Sequence, residues 1–384
     1  MKLASIETHV LNVNARTNWT FVRARFDDGS EGIGEASLNG WESLVVAYAA
    51  DLGGALGGID ATALPARLAT YPHSAGGLVA HAVRSAIEQA CCDALARAAG
   101  VPVWQWLGGK RRNRVPVYAN INRATVDRTP DGCGRAAAAA VAQGFAGVKI
   151  APFDGVLPDA LDRAETRRAI DLGIERVLAM RAAIGPSVSL MADCHWRFDL
   201  PTARAVLERL ADARLRWFEC PVSEHASSHA ALRELRAQAN AQGTMLAACE
   251  LQTAVAGFRP FVTPRLVDVI MPDVKYAGGL AEMVRIAAFA ASHGVRFSPH
   301  NPTGPVCTYA SLHAAAAAVE ADSLELQLGE SELYFDVVGG ARPVFVDGAF
   351  VVPDAPGLGV ALDARVLAAH PGRAVPQGLD ERLG

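Results

Sequence analysis

The run SLMADCHWRFD, residues 189–199, starts as a buried strand and stops on groups that can bind a metal or move a proton: Asp193, Cys194 and His195. The pattern recurs along the chain. Taking the last polar residue of each short apolar run gives Lys149, Asp193, Glu219, Glu250, Asp273, His300 and Glu325. From Asp193 onward the steps are 26, 31, 23, 27 and 25 residues, about one strand-plus-helix unit each. Helix capping explains an isolated Asp or Glu at such a place, but not a lysine and a histidine held in the same phase.

Three consecutive runs end in carboxylates, Asp193, Glu219 and Glu250. Converging hard oxygens suit a hard divalent cation, Mg²⁺ foremost, with positions left for water and substrate. A cysteine adjoins each of them (Cys194, Cys220, Cys249), which invites a zinc reading. Neighbouring strand residues face opposite ways, so carboxylates turned inward imply thiols turned outward, as small buried hydrophobes. By the same alternation His195 returns to the ligand face, as a candidate acid. Asp273 and His300 end successive runs. A carboxylate on one imidazole nitrogen fixes the tautomer and strengthens the other nitrogen as a base. Glu325, on the next run, can hydrogen-bond across the ring, and Lys149 is the cation placed to face developing negative charge.

The elements that must hold these groups follow a rhythm. VPVYANI, GVKIA, VSLMAD, LRWFE, MLAACE, VDVIMPD, VRFSPH and SLELQ are strand-like and separated by Ala- and Leu-rich helical stretches. Eight such strands predict a parallel α/β barrel, whose chemistry sits at the C-terminal strand ends. Upstream, residues 1–35 read as antiparallel strands turned by DDGS, and Trp41 to Gly109 as helical. KRRNR, residues 110–114, reads as a solvated basic linker. The expected division is a cap over 1–112, the barrel over 113–340, and a segment 341–384 that packs back on the cap.

Bulk properties narrow the function. A net charge of −4 and a pI near 6.2 give no basic field for nucleic acid or anionic lipid. No run of apolar residues is long enough to span a bilayer, and the N-terminus lacks the apolar core of a signal peptide. Seven cysteines without a CxxC pair suit reduced thiols in a cytoplasm.

Taken together, NWTFVRARFDDGSEGIGEASL and SAIEQACCDALARAAGVPVWQWLGG upstream, with GFAGVKIAP, MADCHWRFD, WFECPV, AACELQ, VIMPDVKYAGG and SPHNPTGP downstream, resemble the enolase superfamily, mandelate racemase subgroup. The resemblance covers essentially the whole chain. It implies an α+β cap built from both chain ends on a modified (β/α)₇β barrel, Mg²⁺ on Asp193, Glu219 and Glu250, and the Asp273–His300 dyad as base. It also implies Glu325 as the eighth-strand acid, and a homo-oligomer. Racemases of this subgroup carry Lys-x-Lys after the second barrel strand; here the motif is Lys149-Ile150-Ala151. Where they have Asp-x-Asn, this chain has Asp193-Cys194-His195. A lysine lost and a histidine gained is similar to the sugar-acid dehydratases of the galactonate type.

The expectation is therefore a Mg²⁺-dependent dehydratase of an aldonate or aldarate. His300 takes the C2 proton, Lys149 faces the enediolate, and protonated His195 helps the 3-hydroxyl leave, giving a 2-keto-3-deoxy acid. A 2-hydroxy-acid racemase or epimerase on the same scaffold is the alternative, with Lys149 as second base. A sugar-acid binding protein without turnover is the third reading. The role of Trp19 and of the loop near Asn39, and those of Arg197, Lys275 and His313, stay open at this level.

Overall fold

The computed structural model describes residues 1–70, 77–339 and 341–374. Three antiparallel strands open the chain: β1 (Leu3–Asn12), β2 (Asn18–Phe26) and β3 (Glu31–Glu35). Helices α1 (Glu42–Leu56), α2 (Leu64–Ala69) and α3 (Gly77–Ala98) pack on them through Val22, Ala24, Val45, Ala49, Ala86 and Ala90, and the short α4 (Val103–Trp106) follows. Helix α3 approaches β3 closely. A Cβ at Gly32 or Gly34 would lie 2.0 or 2.1 Å from the Ala90 or Ala86 carbonyl oxygen, so both positions require glycine.

A parallel barrel comes next. Its elements are β4 (Arg114–Asn120), α5 (Pro130–Ala142), β5 (Gly147–Ile150), α6 (Ala164–Ile184), β6 (Ser189–Asp193), α7 (Leu200–Arg209), β7 (Trp217–Glu219) and α8 (His229–Ala241). The second half is β8 (Met245–Ala248), α9 (Ala254–Val262), β9 (Val269–Ile270), α10 (Leu280–Ser292), β10 (Arg296–Phe297), α11 (Pro305–Ala317) and β11 (Leu324–Gln327). Each strand from β4 to β10 pairs in parallel with the next, and β11 returns to pair with β4. The last seam, β10 to β11, is drawn shut by backbone bonds from Asp322 to Phe297 (2.8 Å) and from Glu325 to Pro299 (3.3 Å). The expected (β/α)₇β barrel with an α+β cap is what forms.

Strand alternation explains the barrel's layers. Val148, Ile150, Leu190, Ala192, Phe218 and Leu246 point outward into the helix-covered core. Tyr118, Met191, Trp217, Ala247 and Val269 point inward and, with Met271, fill a dry floor, with the Tyr118 and Trp217 rings edge-to-face at 5.3 Å. Two residues further along the same strands, the inward positions are Asn120, Asp193 and Glu219. The site is thus the polar layer above an apolar plug.

The cap docks through two buried carboxylates. Glu35, at the end of β3, accepts from the backbone of Gly304 (2.8 Å) and Cys307 (3.0 Å) at the start of α11. Glu88, on α3, accepts from Leu280 (2.6 Å) and Ala281 (3.2 Å) at the start of α10. Each satisfies orphan N–H groups and faces the positive end of a helix dipole. Those two helices begin just after Asp273 and His300, so cap docking and site geometry are linked.

Two expectations need amendment. The basic stretch 110–114 is not a free linker: the Arg112 guanidinium donates to the Ala315 and Ala318 carbonyls at the C-terminus of α11, a helix end that favours a cation. After β11 and the short α12 (Leu333–Asp336), β12 (Phe345–Val346) and β13 (Ala349–Val351) form a hairpin that adds to β4 of the barrel, not to the cap. Directly after the hairpin the chain does meet the cap, first where Trp104 Nε1–H donates to the Pro353 carbonyl (2.9 Å), then where Leu358 N–H bonds Asp93 (2.7 Å) and, beyond α13 (Ala364–Ala369), where residues 370–372 pair with β1. Residues 375–384 of that expected segment lie outside the described residues.

His313, open at the level of sequence, is a structural cross-link. Its Nδ1 accepts from the Trp104 N–H (3.2 Å) and its Nε2 lies 3.3 Å from the Leu358 carbonyl, which together require the neutral Nε2–H tautomer. Burial holds its pKa down at about 4 against an ordinary 6.5. The unfolded chain therefore protonates first on acidification. This stabilisation is complete above pH 6.5 and is lost as the pH falls from there towards about 4, a change of about 3 kcal/mol. Denaturant melts of the native chain and of His313→Gln between pH 7.5 and 4.5 should diverge, the variant losing less stability on acidification; parallel curves would remove the assignment.

Candidate metal centre and active site

Asp193, Glu219 and Glu250 each offer an oxygen within 4.8 Å of the others, and all three are buried. The first two are fixed by the sheet, since β6 and β7 pair with Asp193 opposite Glu219. Glu250 stands two residues beyond the end of β8. Around the three gather two more buried carboxylates, Asp273 and Glu325, and two buried lysines, Lys149 and Lys275. Negative charge is in excess. The Glu250 Oε2 atom is buried and accepts no hydrogen bond, although His300 Nε2 is 3.3 Å away. A buried anionic oxygen left without a donor is costly unless a cation answers it. The donor set therefore fits a hard divalent ion.

Lys149 projects from β5 between two of these carboxylates, its Nζ 2.6 Å from Glu219 and 3.0 Å from Glu325, with Asp193 at 3.9 Å. Burial alone would lower its pKa. The Glu219 and Glu325 charges more than reverse this, and the amine is held well above its ordinary value as an ammonium. Glu325 is also gripped by Asn120 Nδ2 (2.6 Å) and the Asn301 N–H (3.0 Å). Burial opposes its charge, but Lys149 and His300 hold the carboxyl below its usual range.

His300 Nδ1 lies 2.8 Å from Asp273 Oδ2. That bond directs Nε2 of His300 towards Glu250 and the cavity. Burial disfavours the imidazolium, but the Glu250 and Glu325 charges and the Asp273 bond raise its pKa overall. His195 also reaches the site, its Nε2 2.9 Å from Asp193 Oδ2. Here too burial lowers and the Asp193 carboxylate raises, the carboxylate prevailing.

His195 arrives by a route that alternation does not describe. His195 and Trp196 lie in a turn at φ 48° and 57°, and Cys220 and Cys249 are also left-handed, at 44° and 78°. For residues other than glycine each such position costs roughly 1–2 kcal/mol. Four of them flank the three candidate ligands, so the local backbone is set by site geometry rather than by propensity. Cys194, Cys220 and Cys249 point into the outer core, and burial pushes each thiol well above its ordinary pKa. Turned away from the three carboxylates, none is placed as the thiolate ligand that zinc prefers.

All this opens into a cavity of about 460 Å³ between cap and barrel, within the usual range for a small-molecule site. Lys149, Asp193, His195, Glu250 and His300 line its floor, and Trp19, Asn39 and Trp41 of the cap line its roof. Trp19, undecided at the level of sequence, is both buried core and cavity wall. Asn120 was missed, and Lys275 is open at the level of sequence. Lys275 Nζ lies 3.5 Å from Asp273 Oδ2 and 4.7 Å from the Tyr276 ring centre, and faces the cavity. Its signal was its position two residues after Asp273. Asn120 ends β4 on an amide instead of an ionisable group. Arg197 bonds the Val156 carbonyl (2.7 Å) and is buried outside the cavity lining.

Comparison with known proteins agrees with this geometry. Residues 133–366 match the family described as enolase C-terminal domain-like, and residues 4–108 match the mandelate racemase/muconate lactonizing enzyme N-terminal domain. A D-galactonate dehydratase of Xanthomonas axonopodis pv. citri is 29% identical over 376 residues, covering 96% of this chain and 94% of its own. One from Ralstonia pickettii is 28% identical over 375 residues, covering 94% and 92%. Among solved structures, a Burkholderia xenovorans protein provisionally named an L-alanine-DL-glutamate epimerase, bound to magnesium and fumarate, superposes with a TM-score of 0.87 at 26% identity, covering 99% of each chain. The chain belongs to the enolase superfamily, with a mandelate racemase/muconate lactonizing enzyme N-terminal domain, and is an enzyme of that superfamily.

Proposed function

We propose that the chain is a Mg²⁺-dependent hydro-lyase that removes water from an acid sugar, an aldonate or aldarate, to give a 2-keto-3-deoxy acid. The observation that carries this reading is the pairing of two imidazoles, His300 and His195, on the lining of one cavity beside the acidic triad, while position 151 is alanine. Elimination needs a base for the C2 proton and an acid for the departing 3-hydroxyl. Racemisation needs a base on each face of C2. Lys149 and Lys275 are the remaining candidates for a second base, and the carboxylates beside each hold it as an ammonium. The dehydratase names of the curated relatives support the same choice.

Bound at Asp193, Glu219 and Glu250, Mg²⁺ would act as a Lewis acid on the substrate carboxylate as that group gains a second negative charge. The remaining work falls to the chain. Asp273 fixes the tautomer of His300, which takes the C2 proton at Nε2. Lys149 offsets the charge that develops on the enediolate, and Glu325 with Asn120 keeps that ammonium in place. His195 gives its proton to the 3-hydroxyl. The apolar floor below and the cap roof above keep bulk water away, which strengthens each of these interactions. Among the described residues no helix is long and apolar enough to cross a membrane, and all seven cysteines are free and buried. We take the enzyme to act in the cytoplasm.

Incubation with Mg²⁺ and a panel of aldonic and aldaric acids in D₂O, followed by proton NMR, tests the reading. The expected result is loss of the C2 proton signal together with a deuterated 2-keto-3-deoxy product; deuterium at C2 with water retained would favour an epimerase instead. Two variants separate the proton transfers. His300→Asn should slow C2 exchange by about 10²- to 10⁴-fold, and exchange at the native rate would remove His300 as the base. His195→Asn should lower product formation by a similar factor while C2 exchange continues. If product formation in that variant matches the native enzyme, the acid lies elsewhere.

A further inference from the structure

Glu250 poses a problem that the barrel does not solve. The ladder between β7 and β8 pairs Glu219 with Ala247, three residues before Glu250, and β8 ends at Ala248. The third candidate ligand therefore sits on backbone that the sheet has released. Its predecessor Cys249 is left-handed, at φ 78°. A group other than the sheet must hold this segment in place.

That group is the carboxylate of Glu224, in the loop between β7 and α8. Its Oε1 accepts from the Cys249 N–H at 3.0 Å, and its Oε2 accepts from Gln252 Nε2 at 3.1 Å, so it brackets Glu250 from both sides. The same Oε1 accepts from Trp196 Nε1 at 3.0 Å and lies 3.6 Å from the Cys220 thiol. One side chain thus ties together the loops that follow β6, β7 and β8; Asp193 and Glu219 end the first two strands, and Glu250 lies in the third loop. Three of the residues it grips, Trp196, Cys220 and Cys249, are in the left-handed region. Charge-assisted bonds are strong enough to hold backbone in such a conformation.

We infer that Glu224 is a positioning residue of the metal centre: it touches neither ion nor substrate, but fixes where Glu250 and the His195–Trp196 turn stand. The inference rests on the reading of Asp193, Glu219 and Glu250 as metal ligands, and not on which reaction the enzyme performs. It differs from an ordinary structural role in what should change. Removing a fold-wide support lowers the melting temperature of the metal-stripped chain; removing an outer partner of a ligand set weakens the metal, typically by about 10- to 100-fold.

The test is titration calorimetry of metal-stripped protein with Mg²⁺, backed by Mn²⁺ titration followed by electron paramagnetic resonance. Glu224→Gln places an amide N–H₂ against the Gln252 amide donor, and should raise the Mg²⁺ dissociation constant by about tenfold. The double variant Glu224→Gln/Gln252→Glu restores a donor–acceptor pair and the net charge, and should bring the constant back towards the native value. Trp196→Phe removes a single donor while leaving the carboxylate in place. It should give a smaller rise, and it serves as the independent probe if the Glu224 variant fails to fold. Native Mg²⁺ affinity in a folded Glu224→Gln protein would overturn the inference, as would native affinity in Trp196→Phe. Absence of Mg²⁺ binding by the native chain would overturn the metal reading itself, and this inference with it. Dehydration or epimerisation by the native enzyme leaves both standing, so failure here is distinct from failure of the proposed reaction.

Discussion

The structure is organised by one electrostatic constraint: five carboxylates are brought to the mouth of a barrel whose floor is dry. Inward-facing positions at the ends of parallel strands converge, so like charges placed there cannot avoid one another. Each must be answered by a cation or by several donors, because buried anions left alone would protonate or unfold the site. The chain answers four of them itself. Lys149 stands between Glu219 and Glu325, His195 against Asp193, and His300 against Asp273, while Glu250 keeps one buried oxygen without a donor. The groups that balance these charges are of the types that can move protons, so the proposed chemistry would draw on the same side chains that keep the site stable.

The cap shares in this arrangement beyond roofing the cavity. Glu35 and Glu88 are deeply buried and form their hydrogen bonds with the first turns of α11 and α10. A helix start is a natural seat for a carboxylate, since its N–H groups are otherwise unpaired. The loops leading into those helices carry Asp273 and His300. Fixing the helix starts therefore also fixes the Asp273–His300 pair. The hairpin β12–β13 works from the opposite end, adding to the start of β4 and covering an edge that would otherwise be exposed.

Most of the fold and much of the site were legible in the sequence because both depend on short-range periodicity. Alternation within VSLMAD and LRWFE places Asp193 and Glu219 inward, and repeats of one strand-plus-helix unit bring successive strand ends to the same rim. The failures had a different origin. KRRNR was read as solvated because a basic pentapeptide carries no sign of the α11 carbonyls that receive Arg112, which lie about two hundred residues away in sequence. The tail from residue 341 reaches the cap, as expected, but only after a hairpin that pairs with β4, which nothing local in the sequence announces. Lys275 stays open in the sequence because its direction depends on the turn that follows Asp273, and that turn places the lysine on the cavity.

By itself the sequence determined which groups are present, which strand ends carry them, and that they share one face, because side-chain alternation and helix periodicity are local properties of the chain. It also determined the absence of a second lysine at position 151. Only the tertiary structure decided that Lys149 faces Glu219 and Glu325, that His195 reaches Asp193 through two left-handed residues, that the cap's buried carboxylates seat the helices behind the dyad, and that Glu224 gathers three ligand-bearing loops. Those outcomes depend on strand register and on contacts between residues far apart in the chain. No local pattern encodes such contacts, because their energies exist only once the barrel has closed.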